Sequence, residues 1–484
     1  MTQLTTLDAT FLHAESGGTH AHIAGLGILD PGALPGGRVT VAAAVELIRE
    51  RAHLAARPLR QRLAAVPFGL DHPYWEDDPG FDPARHVSEM TLPAPGTAAQ
   101  LAEAIAELHA RPLERGRPLW ELVLVQGLEG GRAAVYVKAH HAAVDGVLAA
   151  ETLAALLDLS PQPRELPADD AAPLRAPSPF SRVGTGLLRT AAHPFRAALS
   201  VARTAPHLDE VPGVAALPGV ARVSHAVQGA LGMEPVPEAP RVSAPPTPFN
   251  GPVGPHRAVA FADLPLAEVK RVRTALGGSV NDVVMAVCAS ALRTWLDKRG
   301  ALPDGPLVAG VPVSLRPTGA GGAGSEAGNQ VSLMSAPLAV HVPDPADRYA
   351  AVRDDMERAK RRFVGSSGAW VRDLTGLVPA PLAGPVARLA LSVLPGLPVR
   401  PLNLIVSNVP GPQFPLYLCG ARVLAYYPLS VVSGVSGGLN ITVFSYDGTV
   451  HVGLVTCRDL VPDPDELVDH LADALNELTA LAGE

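Results

Sequence analysis

The chain has 484 residues, enough for two or more domains with full hydrophobic cores. Its formal net charge of −8 excludes a protein held to nucleic acid by basic surface. Its three scattered cysteines, Cys288, Cys419 and Cys457, exclude a disulfide framework or a cysteine zinc site, so no metal is expected.

The first residues are polar and acidic, not cationic then apolar, so no secretory leader is expected and the location reads as cytoplasmic. Residues 99–110 predict a helix, and Leu122–Val125 and Ala133–Ala139 predict strands. A helix is expected over Val147–Leu157, with Leu148, Leu153, Leu156 and Leu157 as its apolar residues. Residues 161–180 and 235–255 are proline-rich and read as linker. Between them, Arg175, Arg182, Arg189, Arg196 and Arg203 recur every seven residues, with no acidic residue from Ala171 to Leu208. If helical, this period places the arginines along one slowly drifting face, beside Leu187, Leu188, Phe195, Leu199 and Val201, with Pro194 kinking or splitting the helix. Such a segment suits an anionic membrane interface; it equally suits pairing with this chain's own carboxylates, or a solvated connector.

From residue 256 the alternation of strand and helix resumes. Ser279–Leu296 is a strong helix with Ser279 and Asp282 at capping-box spacing, where Asp fits less well than Glu. Leu307–Leu315, Asn329–Val340 and Leu402–Asn408 read as strands. Asn440–Tyr446 and Thr449–Cys457 flank Asp447-Gly448, a hairpin signal. The last helix has Asp463 as N-cap, Pro464 at its first position and a stripe of Leu467, Leu471, Leu475, Leu478 and Leu481. No uncharged apolar run reaches the ~20 residues of a membrane span. The nearest stretch, Leu374–Val399, contains Arg388 and several prolines. The pattern is α/β, with two mixed halves, 1–160 and 256–484, around a linker with a cationic helical segment, 161–255.

The most informative stretch is His140-His141-Ala142-Ala143-Val144-Asp145-Gly146, set where a strand ends and a helix begins. An imidazole there can project from rigid structure, and its pKa suits proton transfer near neutral pH. His-His-x-x-x-Asp-Gly after a strand resembles the motif of chloramphenicol acetyltransferase, peptide-synthetase condensation domains and the bacterial wax ester synthase/diacylglycerol acyltransferases. The rest of the chain resembles the last of these. The opening Leu4–Glu15, Pro118-Leu119-Trp120, Asn281-Asp282, Val311–Arg316, Gly328-Asn329 and Ser407–Pro412 all match motifs of that family. The resemblance covers nearly the whole chain except 161–250, with no departure at the motif positions.

The resemblance implies two chloramphenicol acetyltransferase-like mixed-sheet domains in a pseudo-twofold arrangement, with an interdomain tunnel and the histidines at the interface. It implies an O-acyltransferase that moves a long-chain acyl group from acyl-CoA to diacylglycerol, a long-chain alcohol or both. Acyl-CoA would be a substrate, and no cofactor is expected. The implied partners are acyl-CoA, the acceptor and a membrane surface or lipid droplet, reached from the cytoplasm or the inner membrane face; nucleic acid is not among them. A carrier-protein-dependent acyltransferase is the alternative within the superfamily, and a non-catalytic lipid-droplet-binding protein is the alternative outside it. With no phosphate loop, the sequence does not place coenzyme A.

By analogy with the motif, His141 is assigned as the base that deprotonates the acceptor and returns the proton to the leaving thiolate. His140 is expected to point inward as support, and Asp145 to make a structural ion pair or loop hydrogen bond. Gly146 is expected to let the helix start pack closely; Lys138 is a nearby charge without an assigned role. Asn281, near a helix N-terminus, either helps stabilise an oxyanion or only organises that helix end. Pro118, Leu119 and Trp120 are expected to shape the core or the acyl-tunnel wall, with Asn408 and Asn440 as candidate tunnel lining. A rival motif, Gly434-Val435-Ser436-Gly437-Gly438, matches a serine-hydrolase nucleophile elbow. The elbow needs a helix after it. Leu439–Phe444 alternates like a strand, so a glycine-rich turn is expected instead.

Overall fold

The computed structural model describes residues 2–15, 18–54, 60–166, 175–210, 219–232, 244–315, 329, 331–365, 376–393 and 400–483. The first part of the chain forms β1 (Thr2–Gln3), α1 (Thr6–His13), β2 (His22–Asp30), α2 (Val41–Arg51), β3 (Gln61–Ala64), β4 (Tyr74–Asp77), β5 (Val87–Thr91), α3 (Ala98–Ala110), β6 (Trp120–Leu128), β7 (Arg132–His140) and α4 (Gly146–Leu156). Both α1 and α3 start in full capping boxes, Thr5 with Asp8 and Thr97 with Gln100. The predicted strand–loop–helix around the double histidine is present, with Asp145 capping α4.

The predicted cationic helix is split, as Pro194 requires. It forms α5 (Pro179–Ala191) and α6 (His193–Thr204), with the proline in the first turn of the second piece. A further helix, α7 (Val220–Ala230), lies before the second half. That half contains β8 (Arg257–Pro265), α8 (Leu266–Leu276), α9 (Val280–Asp297), β9 (Leu307–Ser314), β10 (Val331–Leu338), α10 (Pro345–Gly365), α11 (Ala380–Val393), β11 (Leu404–Pro410), β12 (Tyr417–Leu418), β13 (Ala421–Leu429), β14 (Leu439–Tyr446), β15 (Thr449–Cys457) and α12 (Pro464–Leu481).

Ser279 and Asp282 close a capping box on α9 despite the short acid, and Lys360 adds a 2.8 Å bond to the same carboxylate. The predicted hairpin turn is present, with positive φ at both Asp447 and Gly448, as a two-residue hairpin loop demands. Asp463 does stand before α12, but its side chain makes no capping hydrogen bond. Pro464 follows it directly and has no N–H to satisfy. Among the described residues no single helix is long and apolar enough to cross a membrane.

There are two six-stranded mixed sheets, β12-β13-β2-β7-β6-β5 and β10-β9-β11-β14-β15-β8. One feature departs from the expected division at 256. β12 and β13 come from the second half but pair with the first, Val423 opposite Leu29 and Leu429 opposite Ala24. Asp158, just after α4, exchanges backbone hydrogen bonds with Tyr417. The buried guanidinium of Arg51 holds the Asp158 carboxylate at 2.8 Å and the Leu156 carbonyl at 3.0 Å. The crossing strand lies so close to β15 that a Cβ at Gly453 would stand 1.9 Å from the Pro428 carbonyl oxygen. The halves therefore share core: Leu101, Ile105 and Tyr136 of the first pack with Val259 and Val455 of the second.

Candidate active site

The double histidine ends β7, an inner strand held by β2 and β6 on either side. His140 lies opposite His22 in the ladder and is buried. Its Nδ1 accepts a hydrogen bond from the Ala142 amide at 2.9 Å, so its proton is on Nε2, which faces Glu15 Oε1 at 3.2 Å. The inward, supporting position expected of His140 matches this geometry. The loop amide of Ala143 bonds back to the His140 carbonyl, and Asp145 Oδ1 accepts from the Leu148 amide at 2.9 Å. The turn is thus fixed at both ends. Gly146 is the first residue of α4; its surroundings lie outside the described residues.

His141 sits at the bend. Its ring stacks on Phe11 of α1, with centroids 4.1 Å apart and planes 11° from parallel. Its amide bonds to the Ala21 carbonyl at 2.7 Å, and its own carbonyl accepts from the Asn329 side chain at 2.7 Å. Nδ1 is buried, with no other residue in hydrogen-bond geometry among those described. The backbone carbonyl of His141 itself acts on the ring and favours its protonated form. With Nδ1 buried, Nε2 is the nitrogen left to meet an acceptor. Burial lowers the His141 pKa, opposed by its own carbonyl and by the charges of Asp145 and Asp8, so the ring is a neutral base at physiological pH.

Pro118, Leu119 and Trp120 lie beneath this loop. All three are buried, and Leu119 packs in one cluster with Ala142, Ala143 and Val144 while its carbonyl takes the His140 amide at 3.0 Å. Trp120 stacks on His86. Lys138 is not a free charge: its ammonium donates to the Leu108 and Arg111 carbonyls at the end of α3 and pairs with Glu121 at 2.8 Å. Asn281 and Asn408 meet each other, the Asn408 amide donating to Asn281 Oδ1 at 3.3 Å at the start of α9. Asn440 is buried, its carboxamide occupied by the Val431 carbonyl and the Thr442 hydroxyl. Among the described residues no hydrogen bond joins these three asparagines to His141. Ser436 of the rival motif is buried and bonded to Ser433, and a strand, β14, follows it rather than a helix. The elbow geometry is missing.

Four residues beside the histidines lie in the motif-like stretches Leu4–Glu15 and Gly328-Asn329 but were given no site role from the sequence: Asp8, Phe11, Glu15 and Asn329. Glu15 is a hub. Its Oε1 takes the Ala21 amide and His140, and its Oε2 takes Arg115 at 2.5 Å. His20 and His22 approach the same carboxylate closely enough for the three to be considered as metal ligands. Arg115 already neutralises that carboxylate. Burial, then the Lys138 and His109 charges, push the His22 pKa down to about 2. A positive surrounding of this kind opposes a divalent ion. The group reads as a structural ion-pair network behind the loop.

A neutral histidine on a tight loop after an inner strand, with two mixed sheets sharing core behind it, defines the acyltransferases that carry the His-His-x-x-x-Asp-Gly motif. Comparison with known proteins narrows the class. Residues 4–284 match the sequence model of the wax ester synthase/diacylglycerol acyltransferase catalytic domain, and residues 327–479 match the C-terminal domain of the same family. The chain belongs to the wax ester synthase/diacylglycerol acyltransferase family. The match runs through 161–250, the stretch where the motifs alone carried no resemblance.

Two putative diacylglycerol O-acyltransferases of Mycobacterium tuberculosis strain H37Rv are each 36% identical over 99% of this chain, covering 90% of one relative and 99% of the other. The fold resembles the solved wax ester synthase/diacylglycerol acyltransferase from Marinobacter aquaeolei VT8, with a TM-score of 0.66, 28% identity and full coverage of both chains. It also resembles the first condensation domain of the calcium-dependent antibiotic synthetase, at a TM-score of 0.54 and 17% identity over 100% of this chain and 96% of that one, a likeness of fold alone.

Proposed function

We propose that this protein transfers a long-chain acyl group from acyl-CoA to diacylglycerol, and also to long-chain alcohols, with His141 as general base. The observation that carries the reading is the neutral His141 stacked on Phe11 at the tight loop after β7. The acceptor hydroxyl gives its proton to Nε2 as its oxygen bonds to the thioester carbonyl carbon. The tetrahedral centre then collapses, the carbon–sulfur bond breaks, and the imidazolium returns the proton to the coenzyme A thiolate. The ester and free coenzyme A leave, and the histidine is regenerated. Asn281, at the amino end of α9, is the proposed contributor to oxyanion stabilisation, with Asn408 orienting its carboxamide.

The test is an acceptor panel with purified protein and palmitoyl-CoA, following thiol release and separating the products. His141→Ala should lose about 10²–10⁴-fold of the rate while the fold persists. A folded, fully active His141→Ala protein overturns the assignment. An apolar acceptor site discriminates by only about 1–3 kcal/mol per methylene, so both acceptor classes should react, with diacylglycerol preferred. Inactivity with both, alongside transfer from an acyl-carrier protein, would favour the carrier-dependent alternative.

Both substrates are gathered from a lipid surface, and α5 and α6 are the proposed docking face. Phe180 is 90% exposed and Phe195 79%, with Leu187, Leu188, Leu199 and Val201 also open. Arg182 and Arg189 are already used, on the Ala65 carbonyl and on Asp71. Arg175, Arg196 and Arg203 are exposed beside the apolar side chains and suit an anionic bilayer. Changing these three to Gln should weaken sedimentation with phosphatidylglycerol vesicles and spare turnover of detergent-dispersed substrates. Unchanged sedimentation refutes the docking face.

A further inference from the structure

Asp8 is a carboxylate buried on α1, and it does more than close that helix's capping box. The box uses only Oδ2, which accepts the Thr5 amide at 3.1 Å. Oδ1 accepts twice from Asn329, from its backbone amide at 2.9 Å and from its side-chain Nδ2 at 2.7 Å. The other hydrogen of that Nδ2 goes to the His141 carbonyl. Asn329 stands 321 residues along the chain from Asp8 and 188 from His141, so this link joins the two halves of the sequence at the catalytic loop. Among the described residues no ion pair neutralises Asp8. A buried charge without a counter-ion is unfavourable unless something positive faces it for part of the cycle. The imidazolium of His141 is such a charge, and it exists only after the acceptor alcohol has given up its proton.

We propose that Asp8 is a positioning residue for acyl transfer: through the Asn329 carboxamide it fixes the His141 carbonyl and so the loop that carries the ring, and its charge stabilises the imidazolium that forms. The proposal rests on His141 being the base. The groups that act on the ring are Asp8, Asp145, His140 and its own carbonyl, with Phe11 covering one face. Asp145 and Asp8 raise its proton affinity.

The test uses the full chain, palmitoyl-CoA and detergent-dispersed diacylglycerol, with rates measured from pH 5 to 9. Asp8→Asn keeps the shape and removes the charge. It should lower kcat by about tenfold or more with little change in KM, since the lost interaction is strongest in the transition state. The acid limb of kcat/KM should move to lower pH, because a negative charge beside the ring is gone. Asn329→Ala keeps the charge and removes the clamp, so kcat should fall without that downward move. A folded variant of either kind with wild-type kcat overturns the proposal, as does an acid limb in Asp8→Asn that stays put or moves up. If Asp8→Asn does not fold, Asn329→Ala alone decides through kcat. His141→Ala is measured in parallel: if it stays active, the base assignment itself fails; if it is dead while the other two are normal, only the present inference falls.

Discussion

Glu15→Gln is a perturbation whose outcome depends on pH in a direction the structure sets. Burial alone would push the Glu15 carboxyl pKa up. The hydrogen bond from His140, then the hydrogen bond and charge of Arg115, outweigh burial and hold it well below the usual carboxylate range. Gln keeps the size and loses the charge. A hydrogen bond to a charged acceptor contributes about 1–2 kcal/mol more than one to a neutral acceptor, which sets the His140 loss. The Arg115 guanidinium is half exposed, so screening limits that pair to about 1 kcal/mol or less. The variant should therefore be about 2 kcal/mol less stable at pH 7. A lowered folded-state pKa means the stabilisation is fully present above the unfolded-state value of about 4.3 and fades as pH falls towards the folded one. The gap between wild type and variant should stay constant from pH 7 to 5, then shrink by about 1 kcal/mol at pH 3.5. Urea unfolding followed by tryptophan fluorescence at these pH values measures it. A gap that does not change between pH 7 and 3.5, or a variant as stable as wild type at pH 7, would refute the ion-pair account of this hub.

Three further outcomes are expected. Burial lowers the His141 pKa, so the neutral base persists below pH 6.5, and the acid limb of kcat/KM should lie below that value; a limb well above it would contradict the geometry. Arg51→Met strands the buried Asp158 carboxylate at the join between α4 and β12, and should cost about 3–5 kcal/mol by denaturant titration, partly recovered by Asp158→Leu in the same chain. Ser436→Ala should leave acyl transfer intact, because that hydroxyl only bonds to Ser433; a folded but inactive protein would revive the hydrolase reading.

What the sequence determined by itself was local. The capping box at Ser279, the Asp447-Gly448 hairpin, the split at Pro194 and the strand–loop–helix of the double histidine each rest on hydrogen bonds or periodicity spanning a few residues. Their physics is complete within a short window, so it is legible in one. The motif also marked the proposed base and the residues beneath it, Pro118 to Trp120.

What only the tertiary structure decided was which distant segments meet. The strand Ala421–Leu429 reads as an ordinary member of the second half, yet it completes the first sheet, because the ladder partners of an edge strand are not encoded in its own alternation. Lys138 looked like an uncommitted charge near the site until the end of α3 and Glu121 were found around it. In the sequence Asp8 and Glu15 lie in the motif-like opening and Asn329 begins a predicted strand, none with a role at the site. Each acquires its part only when the sheets bring α1, the end of β7 and Asn329 together around His141. A buried carboxylate or carboxamide is defined by its partners, and here those partners lie 100 to 321 residues away along the chain.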